Sequence, residues 1–529
     1  MIVLARGVTF RYVVGALVML NLQACTSVNV DTPLITTQLP AQMDAATGRP
    51  IGTPMADLSR WWETLDDPVL SAYIEEGLQK NTDVRVALAR IKEARAYLGV
   101  AESAFYPTLE GGAGASRGRQ DASVPIQSNL LLPLPLPIPL PTPTGQTQPA
   151  MSLGNTHGFG LNAAWEIDIF GSRHSDAEMV RQLVMGAQEQ QNGAQLLVAS
   201  DIASRYFEAR GAERRLILLH RGVAVAKRLH LYAAGRFKAG QTTATEVDRA
   251  ALQVDFTEAQ IEPLKALLKS HVRRIAVLMG RTPESLVALP PQPASSHLPR
   301  ALPDVLPGDV LERRPDVRGA ARKVRSQMAK LGSAKAELFP KFYLGFNALT
   351  GRMHPDQNEG SNFSMQSLGI GMRLPIFEGG RIRANIAANQ AQLEGVAAQY
   401  EQAVLGALED VENAYTAKKA FDAKFDKLAS SAKLARKLAD HKQAIFSSGQ
   451  ELLQPVLEAE ATALQREDDE IQCDVSRGLY AVLLYKALGG GWSATNTVEA
   501  VSVASVSAVP VSAPTSRADT RSGFVDSAP

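Results

Sequence analysis

Cysteine is almost missing from this chain, with two residues in 529, Cys25 and Cys473. That excludes a disulfide scaffold as the source of its stability. Long apolar runs are missing as well: outside the amino terminus no stretch reaches the roughly eighteen uninterrupted apolar residues of a membrane-spanning helix. A surplus of one charge is also missing. Fifty-five Lys and Arg face 54 Asp and Glu, a formal net charge of +1. No basic stripe dominates, so nucleic acid is excluded as a partner. Signatures of chemistry are absent too. The eight histidines, from His157 to His441, are dispersed without metal-ligand spacing. There is no phosphate-cradling glycine loop ending in Gly-Lys and no Gly-x-Ser-x-Gly elbow. The run Arg313-Arg314-Pro315-Asp316 reads as a helix start rather than an anion site. The chain reads as a protein with no enzymatic activity and no cofactor.

What the chain does contain is a second copy of part of itself. Thr82-Asp83-Val84 to Phe105-Tyr106-Pro107 recurs without a gap as Pro315-Asp316-Val317 to Leu338-Phe339-Pro340, at an offset of 233 residues. Each copy is followed by an alternating segment, a loop, a second alternating segment and a very long helix-favouring stretch. Such a unit is too large for a solenoid repeat of about 20–50 residues and marks a duplicated half-molecule.

At the amino terminus, Arg6 and Arg11 accompany a short apolar core from Tyr12 to Leu22, the pattern of a signal peptide over residues 1–24. Leu22-Gln23-Ala24-Cys25 resembles a bacterial lipoprotein processing site, which would make Cys25 the acylated first residue of the mature chain. An ordinary secretory cleavage beside an incidental cysteine is the other reading. Thr26 stands where an Asp would resemble an inner-membrane retention signal, which favours the outer membrane. Lipid chains buried at about 0.8 kcal/mol per methylene would hold the Pro- and Thr-rich tether, residues 25–60, on the inner leaflet. Cys473 then has no partner and reads as a buried, inert thiol.

Four segments alternate apolar with polar or glycine residues. Strands are expected at about 108–116 and 157–169 in the first half, and at about 341–350 and 366–376 in the second. The clearest carry Phe159, Leu161, Ala163, Trp165, Ile167 and Ile169, and then Leu368, Ile370, Met372, Leu374 and Ile376. This pattern fits a lipid-facing strand and one face of a soluble sandwich equally. On the membrane reading, four strands cannot close a barrel, because small barrels start at about eight. An open edge cannot face lipid, so several chains must share one barrel, and three would supply twelve strands.

After each second alternating segment comes a glycine-containing bend and then long helices, about 172–280 and 380–487. About sixty residues at 1.5 Å each reach roughly 90 Å, three times a bilayer core. In the returning helix of the first half, Val247, Val254, Ile261, Leu268 and Ile275 repeat every seven residues. Ala250, Thr257, Leu264 and Leu278 fall three further on, with His271 as the exception. This predicts coiled-coil packing, bent at Pro263. Each helix pair turns at a glycine, Gly240 and Gly449, and these tips lie farthest from the strands. The first repeat spans 61–288, a Pro- and Ser-rich linker 289–302, and the second repeat 303–492. Leu130 to Pro143 form a polyproline-like stretch within a loop at 124–150, and residues 493–529 read as a disordered tail.

Several of these runs resemble one family. They are Leu311-Glu312-Arg313-Arg314-Pro315-Asp316-Val317-Arg318, the stretch Gly332, Ala334, Ala336, Leu338-Phe339-Pro340, then Leu374-Pro375-Ile376-Phe377-Glu378-Gly379-Gly380-Arg381, and Ala487-Leu488-Gly489-Gly490-Gly491-Trp492. They resemble the TolC-like outer membrane factors, and among them the NodT-type lipoproteins of drug and metal efflux pumps. The resemblance implies an α+β membrane protein: a homotrimer whose four strands per chain form a shared twelve-stranded β-barrel, continued by a long periplasmic α-helical barrel. It implies a lipid-anchored place in the outer membrane. Its partners would be a periplasmic adaptor and an inner-membrane transporter, which is expected to be proton-driven. The function implied is the passive exit duct of a tripartite efflux system; a duct for type I protein secretion and a non-pore periplasmic scaffold are the alternatives. By the same resemblance, acidic residues six beyond each tip glycine, and nine beyond the second, would ring a closed periplasmic end. Those positions hold Glu246, Pro455 and Glu458, so Gly240, Glu246, Gly449 and Glu458 are the candidate gate residues. Asp248 is a weaker candidate outside the family pattern. The family's basic tip residue is Glu451 here, so its closing ion pair does not carry over.

Overall fold

A computed structural model describes residues 30–31, 57–121, 151–285, 289, 307–355 and 359–493. The signal peptide, Cys25, most of the tether, the loop 124–150, most of the linker and residues 494–529 lie outside the described residues. The first half contains a 3-10 turn Trp61–Leu65, α1 Pro68–Lys80, α2 Thr82–Ser103, β1 Thr108–Asp121, β2 Met151–Ile167, α3 Ser172–Lys238, α4 Ala244–Ala259 and α5 Ile261–Leu278. The second contains α6 Pro307–Arg313, α7 Pro315–Ala336, β3 Lys341–Pro355, β4 Ser361–Arg373, α8 Arg381–Ser447 and α9 Leu453–Ala487.

Local chemistry sets these boundaries. Pro68 opens α1, and the Asp67 carboxylate accepts from the Val69 and Leu70 N–H groups at 3.0 and 3.1 Å. Asn81 ends α1 and caps α2: its Oδ1 accepts from Asp83 N–H at 2.7 Å, while its amide donates to the Leu278 carbonyl at 2.8 Å. That one buried side chain ties the opening of the first repeat to its close. In the second half Pro315 opens α7, and Arg314 spans Asp316 at 2.7 Å and Asp410 at 2.9 Å. The Arg-Arg-Pro-Asp run is thus a helix start held to α8.

The long helices in both halves contain 67 residues. Both turn at left-handed glycines, Gly240 (φ +69°) and Gly449 (φ +76°). The next N–H after each reaches back to a carbonyl five residues earlier, Gln241 to Arg236 at 2.8 Å and Gln450 to Ile445 at 3.2 Å. The two repeats close the same way at Gly280 and Gly489. These paired caps are 209 residues apart, against 233 before the strands, so the first half carries 24 extra residues, all between its strands and their flanks. At the proline the returning helix does more than bend. It breaks between α4 and α5 at Gln260, because the Pro263 ring crowds the Ala259 carbonyl and lacks an N–H.

All heptad positions of α4 and α5 are buried or half-buried against α3. His271, the chemical exception, is buried among them. The main core lies midway along the long helices. There Trp61, Leu70 and Ile74 pack on Ile202 and Tyr206 of α3, Val411 and Tyr415 of α8, and Leu484 of α9. Trp61 stacks on Tyr485 at 4.9 Å between centroids.

The four strands form one antiparallel sheet in the order β1-β2-β3-β4, and β2–β3 joins the two halves. They run longer than the alternation indicated at their outer ends, to Asp121, Met151, Pro355 and Ser361. β4 also stops at Arg373, short of Leu374 and Ile376. The register places every apolar set on one face. Leu109, Ala163, Phe346 and Leu368 form one row, with Trp165, Leu344 and Ile370 in the row below. Glu110, Asn162, Asn347 and Ser367 form a row on the opposite face. In the outer part of β2, Phe159 and Leu161 are exposed while Gly158, Gly160 and Asn162 on the other face are half-buried, as on the convex side of a curled sheet.

Where α3 crosses α9 the approach is tight. A Cβ on Gly478 would lie 2.7 Å from the Phe207 ring, and one on Gly211 would collide with Val475. Gly478→Leu is expected to destabilise the helical body by about 1–3 kcal/mol, read as a lower urea midpoint by circular dichroism.

Candidate functional site

Two ends of the protomer bear on function: the sheet, and the helical tips about 100 Å away at 1.5 Å per residue. Where strands meet helices the surface is strongly apolar. Ile376 and Phe377 are each 91% exposed, Tyr106 is 71% exposed, and Phe170 stacks on Phe339 at 4.8 Å. Trp165 stands in the same zone, with its indole N–H donating to the Phe105 carbonyl at 2.9 Å. Aromatic residues with one satisfied polar edge at the border of an apolar band mark a membrane–water interface. Among the described residues, no helix is long and apolar enough to cross a membrane.

At the opposite end, Glu246 lies in the first turn of α4 and is paired with Arg249 at 2.9 Å. Glu458 lies on α9, exposed, accepting from the Gln454 amide at 2.9 Å. Leu229 of α3 and Leu453 of α9 pack on one apolar cluster, so both tips occupy the same end. Each carboxylate makes its polar contacts within its own hairpin. Pro455 fits the first turn of α9, where its missing N–H is harmless. Glu451 is tied to Lys442 across the turn between α8 and α9, a contact that the sequence reading missed.

A second feature missed in the sequence runs up the helices. Arg214, Arg221 and Arg228 of α3 pair with Asp474, Glu467 and Glu460 of α9 at 2.7, 3.1 and 3.3 Å. Both sets repeat every seven residues and run antiparallel, beside Leu218 and Val225 facing Leu457, Leu464 and Ile471. The heptad spacing of the two sets was the available signal. The outer two pairs, with exposed Arg221 and Arg228, contribute about 0.2–1 kcal/mol each, whereas Asp474 of the third is buried, so the main effect of the outer rungs is on the register between the halves. Above the ladder, charges alternate inward. Arg214 meets Asp474, Asp474 meets Arg477 at 3.2 Å, Arg477 meets Asp422 at 2.9 Å, and Asp422 meets the buried Lys418. Cys473, beside this network, is buried, and burial raises its thiol pKa.

His271 is the one titratable group in the apolar seam of α5. Burial lowers its pKa; Glu208, 3.2 Å from Nδ1, opposes that shift and Arg205 adds to it. The folded chain therefore favours neutral imidazole, while the unfolded chain takes up a proton near the ordinary value of 6.5. Stability from this residue is complete above that pH and falls as the pH drops below it. His271→Leu should remove the loss, so that its urea midpoint gains on the parent's between pH 8 and pH 5.5.

Known proteins share this geometry. The family model described as "Outer membrane efflux protein" matches residues 73–281 and 306–490, one stretch in each half. Nodulation protein T of Rhizobium leguminosarum bv. trifolii is 27% identical over 441 residues, covering 82% of this chain and 88% of that protein. The toluene efflux pump outer membrane protein TtgI of Pseudomonas putida is 26% identical over 442 residues, covering 82% and 87%. The solved structure of the outer-membrane channel OprN is 26% identical and superposes with a TM-score of 0.74, over 89% of this chain and all of that one. The four-stranded sheet continued by long helical hairpins is the fold of these outer membrane channels.

Proposed function

The chain belongs to the outer membrane efflux protein family, and we infer that it is the outer-membrane exit duct of a tripartite efflux system. The observation that carries this reading is the sheet register. Over the rows nearest the helices it gives one face dominated by apolar residues and an opposite face rich in glycine and polar residues, and it leaves two unpaired edges, β1 and β4. Lipid supplies no hydrogen bonds, so those edges must meet in copies of the same chain. The same two flanks are open along the helices, where α2 lies at one side of the upper body and α8 at the other. Three copies give twelve strands, enough for an open lumen lined by the row of Glu110, Asn162, Asn347 and Ser367. The helical barrel crosses the periplasm and meets an adaptor protein and an inner-membrane transporter, proton-driven on this reading. Solutes pass without chemical change.

Lipidation at Cys25 fits the fold. Val30 lies against α7, 3.7 Å from a Cβ built on Gly332, close to the start of β3. Five extended residues reach at most about 18 Å, which brings the Cys25 thioether within range of the inner leaflet. At the far end, three copies would bring Glu246 and Glu458 around one axis, flanked by the turns at Gly240 and Gly449. Such a ring repels anions and concentrates cations in a narrow mouth. Glu451 is engaged with Lys442 in its own hairpin, so closure rests on these carboxylates rather than on a pair between copies.

Two experiments test this. Deleting the gene should make cells more susceptible to small toxic solutes, metals or drugs, with protein secretion unchanged; the reverse outcome would replace efflux with type I secretion. In planar bilayers, replacing both Glu246 and Glu458 with Ala should raise conductance or weaken block by divalent cations. Unaltered current traces would remove both residues from the gate.

A further inference from the structure

The apolar face of the sheet changes character toward its outer end. Counting rows away from the helices, five are apolar or small apart from Gln366 on the edge strand β4, from the row of Ile167, Phe342 and Met372 to the row of Phe159 and Thr350. At about 3.3 Å per residue and a tilt near 40°, five rows span roughly 25 Å, the height of the lipid-facing band of a membrane barrel. The next two rows are polar apart from Ala115 and carry charge of one sign. His157 pairs directly with Arg352, which pairs with Asn362, and in the row beyond, Arg117 and His354 flank Asn155. Directly opposed residues bring their Cβ atoms within about 5 Å, so these side chains form one continuous patch. His157, Arg352, Arg117 and His354 are all exposed. No acidic residue shares these two rows: Asp121 lies at the strand end and Glu359 in the β3–β4 turn, while Glu110 and Glu166 are on the opposite face. A shallow recess on this face is lined by His157, Phe159, Thr350, Arg352 and Asn362. It puts cationic and hydrogen-bonding groups immediately above an aromatic ring.

We propose that this outward basic band binds the phosphate of an anionic lipid in the outer leaflet, with the acyl chains lying against Phe159 and the apolar rows below it. Charge complementarity selects the occupant. Guanidinium groups match phosphate oxygens in geometry and charge, and long Arg side chains bend readily toward head groups. A soluble protein partner would need a surface that is half acidic and half acyl-like, whereas a phosphorylated lipid has both parts in one molecule. The inference rests on the reading of the sheet as part of a membrane barrel.

The test uses the purified full-length protein in dodecylmaltoside micelles, titrated with diphosphoryl lipid A and read by native mass spectrometry. The double variant Arg117→Gln, Arg352→Gln should bind it at least about tenfold more weakly than the parent. Lys341→Gln, on the opposite face of the sheet, should bind as the parent does. Inorganic phosphate at millimolar concentration should not displace the lipid, and phosphatidylethanolamine should not replace it. Equal binding by parent and double variant would overturn the proposal. So would displacement by free phosphate, or equal binding of the zwitterionic lipid. Conductance in planar bilayers separates this from the duct reading. If parent and variant both conduct, the barrel stands whichever way the lipid result falls; a parent that never conducts overturns both.

Discussion

Hydrocarbon offers no partner to a peptide group, and the architecture of this chain follows from that shortage. Helices satisfy themselves, but a four-stranded sheet leaves N–H and C=O groups unpaired along β1 and β4. Everything at the membrane end is arranged so that another copy can supply what is missing. The pairing of β2 with β3 matters most, because it alone joins the duplicated halves within the sheet. A slip of one residue there would turn the apolar set of one half into the lumen while the other half kept its set outward. Correct register is therefore a condition for membrane compatibility, beyond its contribution to stability.

The helical body solves a different problem, keeping long, thin hairpins aligned without a thick core. The core around Trp61, Ile202, Val411 and Leu484 acts as a collar midway along α3 and α8. Below it, register is kept by the seam of α4 and α5 on α3 and by the ladder between α3 and α9. Tight glycine contacts at Gly211 and Gly478 draw α3 and α9 together between the two regions. Oppositely charged heptad rows form all three rungs in one alignment, lose a rung with each heptad of shift, and lose every rung at shifts that are not whole heptads.

Much of this was legible in the sequence, and what was not has physical causes. Alternation exposed the four strands because lipid imposes a period of two. It understated their length because past Phe159 and Thr350 the outward residues become His157 and Arg352, so the hydrophobic signal ends while backbone pairing continues. It overran β4 because Leu374 and Ile376 stay apolar beyond Arg373, where Pro375 takes the chain out of the sheet but not out of the interface. The heptads of α4 and α5 could be read from one segment. The Arg rungs of α3 were missed because their partners lie roughly 230–260 residues away, and one helix read alone shows only solvated charge. Among the candidate gate residues, position near the tips was legible from the glycines. The bond between Glu451 and Lys442 was not, since it depends on how the turn folds back.

The equal 67-residue lengths of α3 and α8 carry a consequence for how such a chain can change. The two helices act as matched rulers measuring one gap. An insertion in one of them would tilt its end out of the common plane and strip the rungs from its neighbour, so any tolerated lengthening must arrive twice, in whole heptads, once per half. The 24-residue surplus of the first half lies instead between two strands, where nothing is measured against it. Drift in size is thus confined to the strand-bearing part of the sequence, while the reach of the two long helices stays fixed.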